Sequence, residues 1–428
     1  MKDSPGNKYS LRCVLGGERV SEHYTTTCPN GHTSLLRTEY AKKRLDIKKL
    51  PGIFRFSDWL PIHRTLSIDA GPICYKSEAL ARELGIPDLY IGFNGYWPER
   101  DGFIPTCSFK ELEAIPTVIR MLEQDTRTLV VASAGNTARA FLQVSALTGV
   151  PVVVVVPEKA LFRLWTTAPA DKACVIAVQG DYTDAIRFSR EVCRIPQFLD
   201  EGGVKNVARR DGMGTILLAA AVTIGRTPDD YFQAIGSGTG GIAAWEAALR
   251  LRADGRFGTY LPVLHLSQNL PFVPMVSAWQ NRRRNLIDDT DMPDASGAIS
   301  RVYSDVLTNR EPPYAIAGGV FDALVSTSGR MYSVSNDEAR SAEKLFLDLE
   351  GMDLDPAAAV CTASLIQVCE TGGLKKKRTV LLNITGGGYQ RVREDFPLVP
   401  VTSTLTVPAG ASVNSIRNEL LEVEKTCV

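Results

Sequence analysis

The sequence predicts an α/β protein: two α/β domains with parallel sheets, preceded by a small N-terminal β-ribbon. Three observations lead there. From Arg127 onward, short apolar runs alternate with helical stretches, as parallel strands covered on both faces require. Glycine-rich turns stand where two of those strands pass into helices, and a Thr-Gly-Gly-Gly turn closes a third. Residues Tyr9 to Tyr40 instead show short strand-like runs broken by Gly16-Gly17 and Asn30-Gly31, a hairpin pattern.

The chain has 428 residues, 44% of them hydrophobic, enough for a large core divided among two or three domains at about 150 residues each. Lys plus Arg and Asp plus Glu both total 48, so net charge gives no reason to expect a nucleic-acid or membrane partner. Met1 to Ser10 is polar, and no apolar run approaches the roughly 18 residues a membrane span needs. A cytoplasmic protein acting on small molecules is expected. Nine cysteines without a repeated spacing are expected to be reduced thiols. Cys13-Val-Leu-Gly and Cys28-Pro-Asn-Gly-His32 each look like half of a Cys-x-x-Cys knuckle. With only Cys13, Cys28 and His32 or His23 to serve, the ribbon is expected to keep its shape without a metal.

Taken in order, residues 1–45 form that appendage. Phe54 to Pro61 and Pro72 to Lys76 read as short strands or loops, Ser77 to Leu84 as a helix ended by Gly85, and Leu89 to Phe93 as a strand. An aromatic turn, Asn94 to Pro98, precedes a helix over Glu111 to Glu123. Strands then fall at Leu129–Ala132, Val152–Val156 and Val175–Val178, and helices at Thr137–Leu147, Leu161–Thr167 and Asp184–Cys193. Pro196 to Gly203 reads as a return crossing between domains. Beyond it come a helix at Met213–Ile224, a strand at Tyr231–Ile235, a helix at Gly240–Leu251 and a strand at Leu261–Leu266. Gln280 to Ser300 has mixed charge and reads as a surface loop. Ser335 and Glu338 form a capping box for a helix to Leu349, Ala357 to Glu370 is a helix stopped by Gly372-Gly373, and Thr379 to Ile384 is a buried strand behind the solvated Lys375–Arg378. Val413 to Glu424 ends the chain as a helix. The expected division is a small α/β domain over 117–200 inserted into a large one made of 46–116 and 201–428.

Ligands of open parallel sheets gather at the carboxyl ends of strands, where helix N-termini offer unpaired N–H groups. Ser133-Ala134-Gly135-Asn136-Thr137 is one such turn, with Asn136 a directional amide or simply a helix cap. Gly236-Ser237-Gly238-Thr239-Gly240-Gly241 is a second, and several amides plus a helix dipole there suit a phosphate. It also satisfies Gly-x-Gly-x-x-Gly. The dinucleotide reading nevertheless needs an acid closing the next strand to hold ribose, and Leu261–Leu266 runs into Ser267-Gln268-Asn269. A P-loop fails for want of a following Gly-Lys-Ser or Gly-Lys-Thr. Thr385-Gly386-Gly387-Gly388 is the third turn. Lys110, in Thr106-Cys107-Ser108-Phe109-Lys110, stands where a loop enters a helix. Partial desolvation there favours the neutral amine that forms imines, although an isolated Ser-Phe-Lys is ordinarily a solvated lysine.

Together these segments resemble the pyridoxal-phosphate enzymes of fold type II, the tryptophan-synthase-β type, and among them the threonine synthase family. Leu35–Tyr40, Phe54–Leu60, Gly95–Glu99 and Cys107–Ala114 are similar to a narrower branch of that family, the one making L-cysteate from O-phospho-L-serine and sulfite in methanogen coenzyme M biosynthesis. Threonine synthases usually carry Pro-Thr-Gly-Ser-Phe-Lys-Asp at the lysine; here Cys107 replaces the glycine and Glu111 the aspartate. The resemblance implies pyridoxal 5'-phosphate as cofactor, held covalently by Lys110, with Asn136 on the ring hydroxyl and Thr385 at the pyridine nitrogen. It implies a phosphate grip by Gly236, Ser237, Gly238, Thr239 and Gly240, a substrate-carboxylate role for the loop Ser133–Thr137, and a homo-oligomer. Arg139, Lys205, Arg209 and Arg210 are the candidate cations for substrate phosphate and sulfite. The rivals are threonine synthase chemistry on O-phosphohomoserine, a sulfhydrylase using sulfide, a silent ligand-binding relative that an intact Lys110 argues against, and a dehydrogenase.

Overall fold

The computed structural model describes residues 8–427 except Ala134 and Lys376. Strand β1 (Tyr9–Cys13) pairs antiparallel with β2 (Arg19–Val20) on one side and β3 (Leu36–Tyr40) on the other. Tyr9, Leu11 and Cys13 alternate inward, and this face lies on the body of the protein. Polar atoms fix the contact: Thr38 Oγ1 and Tyr40 OH each donate to Asp211 Oδ2 at 2.6 Å, from the helix Val207–Ile224.

Two sheets follow. β4 (Ile73–Lys76) and β5 (Leu89–Phe93) belong to the larger; β6 (Tyr96–Trp97) and β7 (Gly102–Phe103) form a short hairpin leading to Lys110. β8 (Thr128–Ala132), β9 (Val152–Pro157), β11 (Ala173–Gln179) and β12 (Phe198–Asp200) belong to the smaller, with β10 (Trp165–Thr166) between them in the chain. β13 (Asp230–Ala234), β14 (Val263–Asn269), β15 (Arg330–Val334) and β16 (Val380–Ile384) complete the larger sheet. Its order is β15-β14-β13-β16-β5-β4, parallel except for the edge strand β4. β17 (Val399–Pro400) pairs with β10, and β18 (Leu405–Pro408) joins β11, giving the small sheet the all-parallel order β12-β8-β9-β11-β18.

The last strand departs from the expected division. Segment 201–428 does not stay with the large sheet, because Val407 packs into the cluster around Val153, Val155 and Ile176. The helix expected at Leu161–Thr167 is a 3-10 turn, Glu158–Arg163, followed by β10: the three-residue spacing of Leu161 and Leu164 serves that tighter turn, and Trp165 pairs with Pro400. Phe54–Pro61 likewise winds as the 3-10 segment Gly52–Trp59, which buries Ile53 and Phe54 in one core cluster and Phe56 and Trp59 in another. The crossing at 196–203 contains β12, and the loop at 280–300 contains the short helices Asp288–Asp291 and Ala295–Ile299. The capping box at Ser335 and Glu338 forms as its spacing requires. Among the described residues, no helix is long and apolar enough to cross a membrane.

Candidate active site

Three strands deliver turns to one place. β13 and β16 are neighbours, with Phe232 opposite Leu382, so the turns after them, Gly236–Gly241 and Thr385–Gly388, lie side by side. β8 leads into Ser133–Thr137 and the helix Asn136–Thr148. Val306 bridges the sets: its side chain faces the Cα of Gly135, and its carbonyl crowds Gly236. Ala134 lies outside the described residues.

Lys110 is the first residue of the helix Lys110–Gln124. The loop before it is clamped to the Thr385 turn, since Phe109 N–H donates to Thr385 O at 2.9 Å and Gly387 N–H to Cys107 O at 3.2 Å. Cys107 has φ of 54°, in the left-handed region that favours glycine. Its side chain packs with Tyr96 and Val392. Lys110 Nζ lies 3.5 Å from Glu113 Oε2, one helical turn on, and 4.7 Å from the centre of the Phe109 ring. Burial pulls the amine's pKa below its ordinary value, Glu113 opposes this, and Arg209 reinforces it. Glu113 is occupied independently: Oε1 accepts from Thr137 Oγ1 at 2.9 Å and pairs with Arg209 at 2.9 Å, while Arg209 also holds Glu201. Lys110 therefore faces a carboxylate that already has a second cationic partner, one it shares with Glu201.

Asn136 opens its helix inside a second network. Its Nδ2 donates to Asp355 Oδ2 at 3.2 Å, and its Oδ1 accepts from Arg139 Nη2 at 2.9 Å. Arg139 also donates to Thr106 O at 3.0 Å and Tyr389 OH at 3.0 Å, with its guanidinium over the rings of Trp165 and Tyr389. Tyr389 OH donates to Asp355 Oδ2 at 2.9 Å; burial, then that carboxylate, holds the phenol well above its ordinary pKa. Asp355 N–H returns to Gly386 O at 2.9 Å, which ties the Asn136 network to the Thr385 turn.

The Gly236 turn fits a phosphate. It opens the 16-residue helix Thr239–Asp254, Gly238 has φ of 81°, and Ser237 and Thr239 hydroxyls lie 2.8 Å apart. A Cβ at Gly236 would press on the Val306 carbonyl, one at Gly238 would overlap Val320, and one at Gly240 would overlap Gln233. Only bare backbone passes through this cradle, and bare backbone presents its amides. With the half-buried Lys110 amine, these residues suit a phosphate-bearing aldehyde cofactor.

The structure also sorts the candidate cations. Arg139 and Arg209 belong to the networks just described. Arg210 does not: it is fully buried, paired with Glu246 at 2.9 Å and donating to the carbonyls of Val204 and Leu36. Lys205 is exposed in the turn Gly203–Lys205. Sequence reasoning missed Glu113, Asp355 and Tyr389. A cap signal was present in Asp355-Pro356, but which group Asp355 would meet depends on a partner 219 residues away. The expected absence of a metal in the ribbon meets a different arrangement: Cys13, Glu18, Cys28 and His32 converge, while His23 is outside that group.

Comparison with known proteins places these observations. A family model described as "Pyridoxal-phosphate dependent enzyme" matches residues 73–386. The chain is 59% identical over 422 residues to a protein named cysteate synthase from Methanoculleus marisnigri, covering 97% of this chain and 98% of that one. It is 56% identical to one of the same name from Methanosphaerula palustris, covering 96% and 97%. Among solved structures, a pyridoxal 5'-phosphate-dependent aspartate racemase superposes with a TM-score of 0.55 at 16% identity, over 74% of this chain and 89% of that one. At that identity the likeness concerns the fold alone.

Proposed function

Because the chain belongs to the pyridoxal-phosphate dependent enzymes and, within them, to the cysteate synthase family, we propose that it catalyses a β-replacement on O-phospho-L-serine, with sulfite displacing phosphate to give L-cysteate. The observation that carries the chemistry is Lys110: a half-buried amine with a lowered pKa, at a helix start whose preceding loop is clamped to the Thr385 turn. The cofactor, when bound, supplies the conjugated electron sink that accepts charge from the substrate's α-carbon.

The chain's own residues do the rest. Lys110 Nζ, as a free amine beside the bound substrate, would take the proton from the α-carbon and later return it there. The bond between the β-carbon and the phosphate oxygen breaks, the phosphate leaves with that electron pair, and a bond forms from sulfite sulfur to the same carbon. Amides of Gly236–Gly241 would hold the cofactor phosphate. Thr385 would offer the cofactor's pyridine nitrogen a neutral hydroxyl, a partner that would favour elimination over transamination. Asn136 would meet the cofactor's ring hydroxyl, and Ser133–Thr137 would hold the substrate carboxylate. Arg139 is a positioning residue, since it directs named donors to Thr106, Asn136 and Tyr389. Arg209, already shared between Glu113 and Glu201, sets the charge around Lys110. The product suits the pathway to coenzyme M, and the working form is a homo-oligomer.

The test supplies purified holoenzyme with O-phosphoserine and either sulfite or sulfide, following phosphate release and the amino-acid product. Cysteate formed preferentially with sulfite is the expected result. Cysteine formed preferentially with sulfide would make the protein a sulfhydrylase, and turnover confined to O-phosphohomoserine a threonine synthase.

A further inference from the structure

The N-terminal ribbon holds a cluster that the reaction does not use. Cys13 ends β1, Glu18 precedes β2, and Cys28 and His32 lie on the loop between β2 and β3. Their ligand atoms all fall within 4.8 Å of one another. His32 Nδ1 is 3.4 Å from Cys13 Sγ, 3.6 Å from Cys28 Sγ and 3.1 Å from Glu18 Oε1.

Those separations match a coordination sphere. Tetrahedral zinc with Zn–S of about 2.3 Å and Zn–N or Zn–O of about 2.0–2.2 Å places sulfur and nitrogen ligands about 3.5 Å apart and nitrogen and oxygen about 3.4 Å apart. Hydrogen bonding alone accounts for the cluster poorly. A single Nδ1 makes one such bond, as donor or acceptor, yet three ligating atoms close on it from different residues. One cation at the centre satisfies all of them. We propose that the ribbon binds one zinc ion through Cys13 Sγ, Cys28 Sγ, His32 Nδ1 and a carboxylate oxygen of Glu18.

The surroundings suit that ion. Both cysteines are buried, whereas Glu18 and His32 are half-buried. Gly16 N–H points at Cys13 Sγ at 3.4 Å, and Asn30 Nδ2 donates to Glu18 Oε1 at 2.7 Å, outer partners that orient ligands. A Cβ at Gly16 would overlap both the Glu18 carboxylate and the His32 ring, so the turn is bare where the ligands close over it. Two thiolates, an imidazole and a carboxylate select zinc over the hard divalent ions, and four protein ligands leave no position for substrate. The site is structural: it joins the end of β1, the following turn and the 28–32 loop into one unit. A histidine and a glutamate, each just beyond the position at which a second knuckle cysteine would fall, complete the two halves.

The test uses full-length holoenzyme purified without added metal. Expected are about one zinc per chain by elemental analysis and, after exchange into cobalt, intense thiolate-to-cobalt bands with visible bands of tetrahedral shape. Cys28→Ser should abolish the cobalt bands. Glu18→Ala, at a half-buried position, should hold zinc at least about tenfold more weakly against a chelator while the cofactor absorbance stays unchanged. If Cys28→Ser does not fold, the wild-type metal content and the Glu18→Ala variant decide. Folded, cofactor-bound wild type with zinc well below stoichiometric and no cobalt bands would overturn the assignment. So would a Glu18→Ala variant with unaltered zinc retention.

Discussion

Glu113 sits one helical turn beyond Lys110 and already shares its carboxylate with Arg209, so the lysine can lose its proton without leaving a buried anion unpaired. Replacing Lys110 by Ala would remove the proposed base at the α-carbon, and kcat should fall by about 10²–10⁴-fold or more, with loss of the visible absorbance of covalently held cofactor. Glu111 offers a pH test. Burial lifts its carboxyl to about 7 from an ordinary 4.5, opposed by hydrogen bonds from Thr106, and its Oε1 has no partner. Between those values the folded protein holds the proton more tightly than the unfolded chain. The contribution to stability is therefore complete below 4.5 and lost as pH rises through 7. Relative to Glu111→Gln, the wild type should lose on the order of 3 kcal/mol between pH 4.5 and 8, read from denaturation at each pH. Lys110 was legible because its loop and helix are local in sequence. Glu113 was not, because its role is conferred by Arg209, which reaches it from another helix.

At the scale of elements, the glycine turns are the parts a sequence displays best: a bare backbone at a strand end needs glycine itself, whatever surrounds it. Gly238 is held at φ of 81° against Val320, so Gly238→Ala should weaken cofactor affinity by about 5–150-fold, corresponding to about 1–3 kcal/mol of backbone strain, as measured by titration of the apoenzyme. Lys110 absorbance at saturating cofactor should remain. The regular helices were legible for a similar local reason, such as the Ser335–Glu338 box. The 3-10 turn at Glu158–Arg163 was not, because Leu161 and Leu164 satisfy either helical period. β12 has three residues, too few to show alternation, and β15 buries Met331 and Val334 with half-buried residues between them.

For the whole molecule, the ribbon and body are joined through buried charges: Arg210 and Arg37 both reach Glu246, and Arg250 meets Asp211 at 2.6 Å beneath Thr38 and Tyr40. Removing one partner leaves the others uncompensated, so Glu246→Ala should cost about 3–5 kcal/mol and lower the melting temperature without altering the cofactor absorbance of the folded fraction. The two parallel sheets were legible as alternation of apolar runs and helices. That the last strand crosses back was not, because Leu405–Pro408 is short, ends in a proline, and takes its place from a partner far earlier in the chain. That return sets a schedule for the ribosome. Residues 128–200 emerge with four strands of the small sheet, but the valine-rich border along Ala173–Gln179 waits for Leu405–Pro408 to be translated. At about 5–20 residues per second the delay is on the order of 10–50 s. Throughout it an apolar strand edge stands open to other nascent chains.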